Sequence, residues 1–263
     1  MSNNHIKMVV FDWAGTTVDY GSSAPMDVFK MVFDEMGIEL SRDEINGPMG
    51  MEKKAHIKAL LSLDNAAVQW KEHYGRMWTE ADVEEIYEKF EDKLFDVVAD
   101  YSKPIDGVVE TVNELKKNGI KIGSTTGYNK RMMTKVIPAA KENGYEPDCI
   151  VTPDITGLGR PTPCMLNECM RVLNVYPPKA VVKVGDTITD IHEGKNAGAW
   201  SIGLLVGSNL LGVSKDEYEK MSEEELAKLK EVTTKKYMDA GADMVIDNIT
   251  ELPQAIEKIN EMM

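Results

Sequence analysis

Short, nearly continuous apolar runs alternate with helix-length amphipathic stretches along most of this 263-residue chain. That alternation predicts βαβ units and a parallel sheet covered on both faces. A long strand-free interval after the first apolar run predicts an inserted helical unit. Together these observations predict an α/β protein with a doubly wound, Rossmann-like parallel sheet and an inserted all-helical cap domain.

The first run, KMVVF from Lys7, ends on Asp12 and breaks into the small turn Ala14-Gly15-Thr16-Thr17. From Pro25 to about Tyr101 only helical patterns follow: PMDVFKMVFDEMG, MEKKAHIKALL, NAAVQWKEHYG and the acidic EADVEEIYEKFEDKLFDVVADY, read as four or five helices. The alternation resumes with a helix over Gly107–Asn118, then IKIGSTT from Ile120, a helix over Lys130–Asn143 and DCIVT from Asp148. A helix over Pro163–Leu173, AVVKVGD from Ala180, a helix over Ile188–Ala197, WSIGLLV from Trp200 and a weaker DMVI from Asp243 complete it. The charged run from Ser214 to Lys236 reads as a helical, solvated face. Residues 1–21 and 102–263 are assigned to the α/β core and 22–101 to the cap, with crossings near Tyr20–Pro25 and Ser102–Asp106.

With 43% hydrophobic and 28% charged residues the chain falls in the globular range, which excludes disordered and collagen-like classes. A formal charge of -14 and an isoelectric point near 4.8 set the surface against nucleic acid and anionic membranes. A phosphate-bearing ligand therefore needs a locally cationic or metal-bearing pocket. Cys149, Cys164 and Cys169 form no CxxC pair, which argues against a disulfide framework or thiolate zinc site and suits a reducing cytosol. No apolar run approaches a bilayer span, and MSNNHIK lacks the apolar stretch of a signal peptide. The expectation is a soluble cytoplasmic protein with no nucleic-acid or membrane partner.

Four segments place polar residues directly after an apolar strand, where open α/β sheets bind ligands. Asp12, followed by Trp13-Ala14-Gly15-Thr16-Thr17, has the setting of a nucleophile whose neighbouring N–H groups cradle an anion. Ser124-Thr125-Thr126-Gly127-Tyr128 offers hydroxyls and free N–H groups to phosphate oxygens at a helix start. Gly159-Arg160-Pro161 sets a cation just ahead of a helix. Asp186 and Asp190, in Gly185-Asp186-Thr187-Ile188-Thr189-Asp190, add a carboxylate pair, and an oxygen-only donor set suits Mg²⁺. Each segment has a blander reading alone: an Asp after a strand is commonly a helix N-cap, and an Arg before Pro a surface charge. Their order across the strands is what carries weight.

In that order, DWAGTT, STTGY, GRP and GDTITD resemble the four motifs of the haloacid dehalogenase superfamily, and the chain is similar over nearly its whole length to the phosphonatase family within it. The likeness includes the cap and the segment Pro48-Met49-Gly50-Met51-Glu52-Lys53. It implies hydrolysis of the C–P bond of phosphonoacetaldehyde to acetaldehyde and phosphate, with Asp12 as nucleophile and Lys53 forming a Schiff base with the aldehyde. It implies Mg²⁺ held by Asp12, the backbone carbonyl of Ala14 and Asp186. Met49, His56 and Tyr128 would line the cap side, Thr126, Gly127 and Arg160 would take the phosphonate charge, and the working unit would be a homodimer joined through the caps. Ser22 stands where the family leads one to expect cysteine.

Ala14 supports C–P cleavage on chemical grounds. Phosphatases of this superfamily carry a second Asp two positions after the nucleophile to protonate the leaving alkoxide, a transfer worth about 10²–10⁴ in rate. With Ala14 there, ester cleavage lacks its acid, whereas a carbon leaving group needs an electron sink instead. A lysine imine supplies one, since the departing pair becomes a neutral enamine. Lys53 shares a helical stripe with His56, Ile57 and Leu60, while Lys54 and Lys58 share a wetter one. Desolvation and the Lys54 charge are expected to lower the Lys53 pKa.

A capped phosphatase or phosphomutase acting on a small phosphate ester is the alternative enzyme, and it predicts an acid at position 14. A dehalogenase leaves Asp186 and Asp190 without a task. A non-catalytic interaction module predicts loss of at least one of Asp12, Thr126, Arg160 and Asp186, and none is lost. Asp190 is read as orienting Asp186 or metal waters, and Asp19 as a structural acid at the cap entry. The seventeen methionines read as packing residues, and His5, His73 and His192 lack metal-ligand spacing. Gly157-Leu158-Gly159 does not match a dinucleotide fingerprint.

Overall fold

The computed structural model of the chain describes residues 5–49 and 51–263. Gly50 of the PMGMEK segment and the first four residues of MSNNHIK lie outside the described residues. Strands β1 (Met8–Phe11), β2 (Lys121–Thr125), β3 (Cys149–Val151), β4 (Val181–Gly185), β5 (Trp200–Leu204) and β6 (Met244–Ile246) form one parallel sheet. Each lies inside an apolar run read from the sequence, and the spatial order is β3-β2-β1-β4-β5-β6. Central β1 is buried on both faces: Val9 and Phe11 join one apolar cluster, Met8 and Val10 another, as the two-residue strand period requires.

Among the described residues, five α-helices separate β1 from the next core element: α1 (Ser23–Glu35), α2 (Arg42–Asn46), α3 (Lys53–Leu61), α4 (Asp64–Tyr74) and α5 (Glu80–Val97). The short α2 is set by a capping box between Ser41 and Glu44, and α3 begins where it does because the Glu52 carboxylate accepts the Lys54 and Ala55 N–H groups at 3.1 Å. Phe29 of α1 and Phe90 of α5 stack at 4.1 Å between ring centroids, and Trp70 is fully buried. Burial of each such side chain contributes about 1.5–3 kcal/mol.

After the cap, α6 (Val108–Lys117), α7 (Lys130–Glu142), α8 (Pro153–Thr156), α9 (Cys164–Leu173), α10 (Ile188–Ala197), α11 (Lys215–Lys220), α12 (Glu223–Asp239) and α13 (Leu252–Met262) complete the chain. Val112 and Leu115 of α6 and Ile256 and Ile259 of α13 pack on the Val9/Phe11 side, and Met165, Leu166 and Met170 of α9 on the Met8/Val10 side. The sheet is thus wound on both faces.

The Ser214–Lys236 run is helical and largely solvated, as expected. Ser222 caps a separate helix there, and Thr233 is the one buried residue of the run; α12 continues past it to bury Tyr237, four residues on and on the same face. The Tyr237 ring occupies space left by Gly203, where a Cβ would come within 2.6 Å of it.

The two segments joining cap to core run side by side. Val18 bridges Pro104, and the Ile105 N–H donates to the Thr17 carbonyl at 2.9 Å. The Asp19 carboxylate accepts the N–H groups of Ser23 (2.9 Å) and Ala24 (3.1 Å) at the start of α1, the structural task expected of it.

Candidate active site

The winding direction reverses between β1 and β4, and such a switch point opens a crevice at the carboxyl ends of its strands. Asp12 directly follows β1 and Asp186 directly follows β4, so one stands on each side of it. The Asp12 N–H donates to the Val184 carbonyl at 3.1 Å, and the Thr17 hydroxyl donates to the Asp12 carbonyl at 2.9 Å. Asp186 accepts the Thr16 hydroxyl at 3.0 Å and the Asn209 N–H at 2.9 Å. Gly15 permits this approach: its φ is +81°, and a Cβ there would lie 2.0 Å from Asp186 Oδ2.

Asp190, in the first turn of α10, completes a buried group in which one carboxylate oxygen each from Asp12, Asp186 and Asp190 lie within 4.8 Å of one another. Both Asp190 oxygens already have partners. Oδ2 accepts the Thr187 N–H (3.2 Å) and hydroxyl (2.6 Å), while Oδ1 meets Arg160 Nη1 and, at 3.0 Å, Lys183 Nζ. Arg160 Nη1 also lies 2.9 Å from Asp12 Oδ2.

Burial pushes the Asp12 carboxyl up against the opposing pull of Arg160, and burial with the Asp12 and Asp190 charges pushes Asp186 well up. Burial acts the same way on Asp190, but Arg160 and Lys183 outweigh it and hold that carboxyl at about 2. Four buried carboxylates, counting Glu193, face two buried cations, Arg160 and Lys183. A divalent cation between Asp12 and Asp186 is the charge that would keep both ionised, and hard oxygen donors fit Mg²⁺.

Of the site residues expected from the sequence, Asp12, Ala14, Met49, Lys53, Thr126, Gly127, Tyr128 and Arg160 line one pocket, together with Ser22. The Thr126 hydroxyl accepts the Tyr128 N–H at 3.0 Å and shapes the loop after β2. The buried Tyr128 hydroxyl and Arg160 Nε have no hydrogen-bond partner among the described residues. The pocket offers about 30 Å³, too little for a phosphonate, and a neighbouring space of about 120 Å³ shares Lys53, Gly127 and Tyr128 with it.

Lys53 opens α3, where the helix dipole disfavours an ammonium. Its Nζ lies 5.6, 5.9 and 6.0 Å from the ring centroids of Phe29, Phe90 and Tyr128. Burial, then repulsion from Arg160, brings its pKa down to about 8. The expected repelling cation was Lys54, and the structure corrects this. Lys54 lies 2.7 Å from Glu84 and over the Tyr87 ring, Lys58 is paired with Glu80 at 2.7 Å, and Arg160 arrives from the core.

His56 is not among the pocket-lining residues. It is buried in the cap with Nε2 2.9 Å from the Ile45 carbonyl and its ring 4.2 Å from Phe29. Because a carbonyl only accepts, Nε2 carries the proton, and burial together with the Lys53 charge keeps the ring neutral, with a pKa of about 3.

Three supporting residues escaped the sequence reading. Lys183 and Glu193 form a buried ion pair behind Asp190, and the Tyr237 hydroxyl lies 2.8 Å from the Asp186 carbonyl and 2.9 Å from that of Leu204. A lysine amid the apolar run AVVKVGD was the available signal for Lys183. Tyr237 gave none, because only the packing of α12 brings it to the site.

The model of the haloacid dehalogenase-like hydrolase family matches residues 6–198. The chain is 47% identical over 256 residues to phosphonoacetaldehyde hydrolase of Bacillus cytotoxicus, covering 97% of both chains. It is 46% identical to the bifunctional phosphonoacetaldehyde hydrolase/aminoethylphosphonate transaminase of Clostridioides difficile, covering 97% of this chain and 40% of that one. The crystal structure of a phosphonoacetaldehyde hydrolase-like protein from Oleispira antarctica superposes with a TM-score of 0.95 at 34% identity, covering 97% of this chain and 93% of that one.

Proposed function

The chain belongs to the haloacid dehalogenase-like hydrolases and, within them, to the phosphonoacetaldehyde hydrolase family, and from that premise we propose that it hydrolyses the C–P bond of phosphonoacetaldehyde to acetaldehyde and phosphate. The observation that carries this reading is one pocket holding Asp12 and Lys53 with Ala14 beside them. The acid that ester cleavage requires is missing where an imine-forming amine is present.

The pocket is too small for the substrate, so residues 22–101 act as a cap that opens to admit it and closes to exclude water. The Lys53 amine adds to the aldehyde carbon and expels water, leaving a protonated imine. An Asp12 carboxylate oxygen attacks phosphorus in line, and the C–P electron pair moves into the imine to give a neutral enamine. Arg160, the Thr126 hydroxyl and the N–H groups of the Ala14 and Gly127 loops hold the phosphoryl oxygens. Water then hydrolyses the aspartyl phosphate. The enamine takes a proton at carbon, and a second water frees acetaldehyde and Lys53. Asp12, Asp186 and the Ala14 carbonyl would hold Mg²⁺, which when bound offsets the repulsion between the phosphonate and the carboxylates. Met49 and Tyr128 shape the cap side, and neutral His56, one turn along α3 from Lys53, ties that helix to the Ile45 carbonyl of α2.

Met31, Val68 and Met77 are exposed on the cap, and a second copy covering them would give a homodimer joined through the caps. The three cysteines are free, as in a reducing cytoplasm, and no described helix is long and apolar enough to cross a membrane. Phosphate release measured with phosphonoacetaldehyde and with a panel of phosphate monoesters tests the reading. Release from the phosphonate alone is expected. Preferential release from an ester would return the chain to the phosphatases.

A further inference from the structure

Lys183 is the only charged residue of β4 and is fully buried, yet it does not line the pocket. Its Nζ lies 3.0 Å from Asp190 Oδ1, 3.0 Å from Glu193 Oε2 and 2.8 Å from the Thr125 hydroxyl, which itself donates to Glu193 Oε2 at 2.9 Å. Placing an ammonium on a central strand and a second carboxylate against it from α10 is costly, and an apolar side chain would serve a strand centre as well. The arrangement calls for a task beyond packing.

That task is visible at one oxygen. Asp190 Oδ1 accepts from Lys183 Nζ and also from Arg160 Nη1, and the same Arg160 nitrogen lies 2.9 Å from Asp12 Oδ2. A carboxylate oxygen shared between two cations holds each less firmly than it would hold either alone. Without Lys183, Asp190 would direct its full charge at Arg160 and draw the guanidinium away from the reacting centre. We propose that Lys183 is a positioning residue that shares the Asp190 oxygen and so leaves Arg160 free to bind a phosphoryl oxyanion at Asp12. Glu193 and Thr125 hold Lys183 at that oxygen. The inference rests on the reading of Arg160 as the phosphonate-binding cation.

Two variants separate this role from that of a structural rivet. In Glu193→Gln, Lys183 keeps its charge and turns it undivided on Asp190. In the double variant Lys183→Met/Glu193→Gln, one positive and one negative charge leave together, so no buried charge is stranded. The full-length protein, saturated with Mg²⁺, is titrated with inorganic phosphate by calorimetry, and thermal unfolding is followed in parallel. Glu193→Gln should bind phosphate as tightly as the parent or more tightly. The double variant should bind it at least tenfold more weakly, about 1.4 kcal/mol, while unfolding near the parent temperature. A rivet would alter stability and leave phosphate affinity alone.

Phosphate binding by the double variant within twofold of the parent would overturn the proposal. So would a clear loss of affinity in Glu193→Gln, which decides the matter even if the double variant fails to fold. Because the readout is phosphate binding, it stands apart from substrate identity. A parent that binds phosphate but leaves phosphonoacetaldehyde intact refutes the proposed function, whereas equal binding by parent and variants refutes only the role of Lys183.

Discussion

Lys53 should titrate far below an ordinary lysine, and the repulsion from Arg160 should be measurable as part of the reason. At pH 7 an amine with a pKa of about 8 is roughly 10% unprotonated, against roughly 0.03% at the ordinary 10.5, a gain of about 300-fold in nucleophile. The assay needs no phosphorus chemistry: acetaldehyde and cyanoborohydride trap the imine as a stable amine, and mass spectrometry follows the adduct. In the parent, the trapping rate should rise about tenfold per pH unit and level off near pH 8. Arg160→Met removes the repelling cation while the attractions of Asp12, Glu52 and Asp19 for the ammonium remain, so the midpoint should move upward. It should stay short of 10.5, because burial, the larger cause, persists. Arg160→Lys should stay closer to the parent. Circular dichroism establishes that each variant is folded, since stripping one partner from a buried pair commonly costs 3–5 kcal/mol. A parent midpoint near 10, an unmoved midpoint in Arg160→Met, or an adduct mapped to Lys54 or Lys58 would each refute this account.

Asp12→Asn should keep the fold and lose turnover, because it preserves shape and removes the nucleophile; phosphate release near the parent rate, with contaminants excluded, would end that assignment. Exhaustive chelation should stop phosphate release and Mg²⁺ should restore it, with full activity after chelation removing Asp12, Ala14 and Asp186 as ligands. Gly15→Ala should cost about 10² or more in kcat/KM, since a Cβ 2.0 Å from Asp186 Oδ2 must displace the carboxylate or the turn. Steady-state kinetics beside a thermal melt checks that this loss exceeds any loss of stability. Tyr237→Phe removes the hydroxyl shared by the Asp186 and Leu204 carbonyls, and should lower stability by about 1 kcal/mol in denaturant unfolding.

The strand runs were legible because a strand buried on both faces must be largely apolar, and six such runs became six strands. The helical cap was legible as the interval where apolar strand runs stop alternating with helices, Asp12, Thr126 and Asp186 as polar residues closing such runs, and Arg160 as a cation just ahead of a helix. Their rank along the chain determined the family likeness, and Ala14 with Lys53 pointed to the bond being cleaved. What the sequence could not carry is any relation that depends on which elements meet. The parallel order β2-β1-β4 brings Asp12 and Asp186 to one crevice, although 174 positions separate them in the numbering. Arg160 acts as the neighbour that depresses Lys53 because core and cap close on each other, while Lys54, adjacent in sequence, turns to Glu84 one position further round the helix. Lys183, Glu193 and Tyr237 reach the site through β4, α10 and α12. Tertiary structure alone decided those contacts, because electrostatic and packing energies fall off with distance through space and not with separation along the chain.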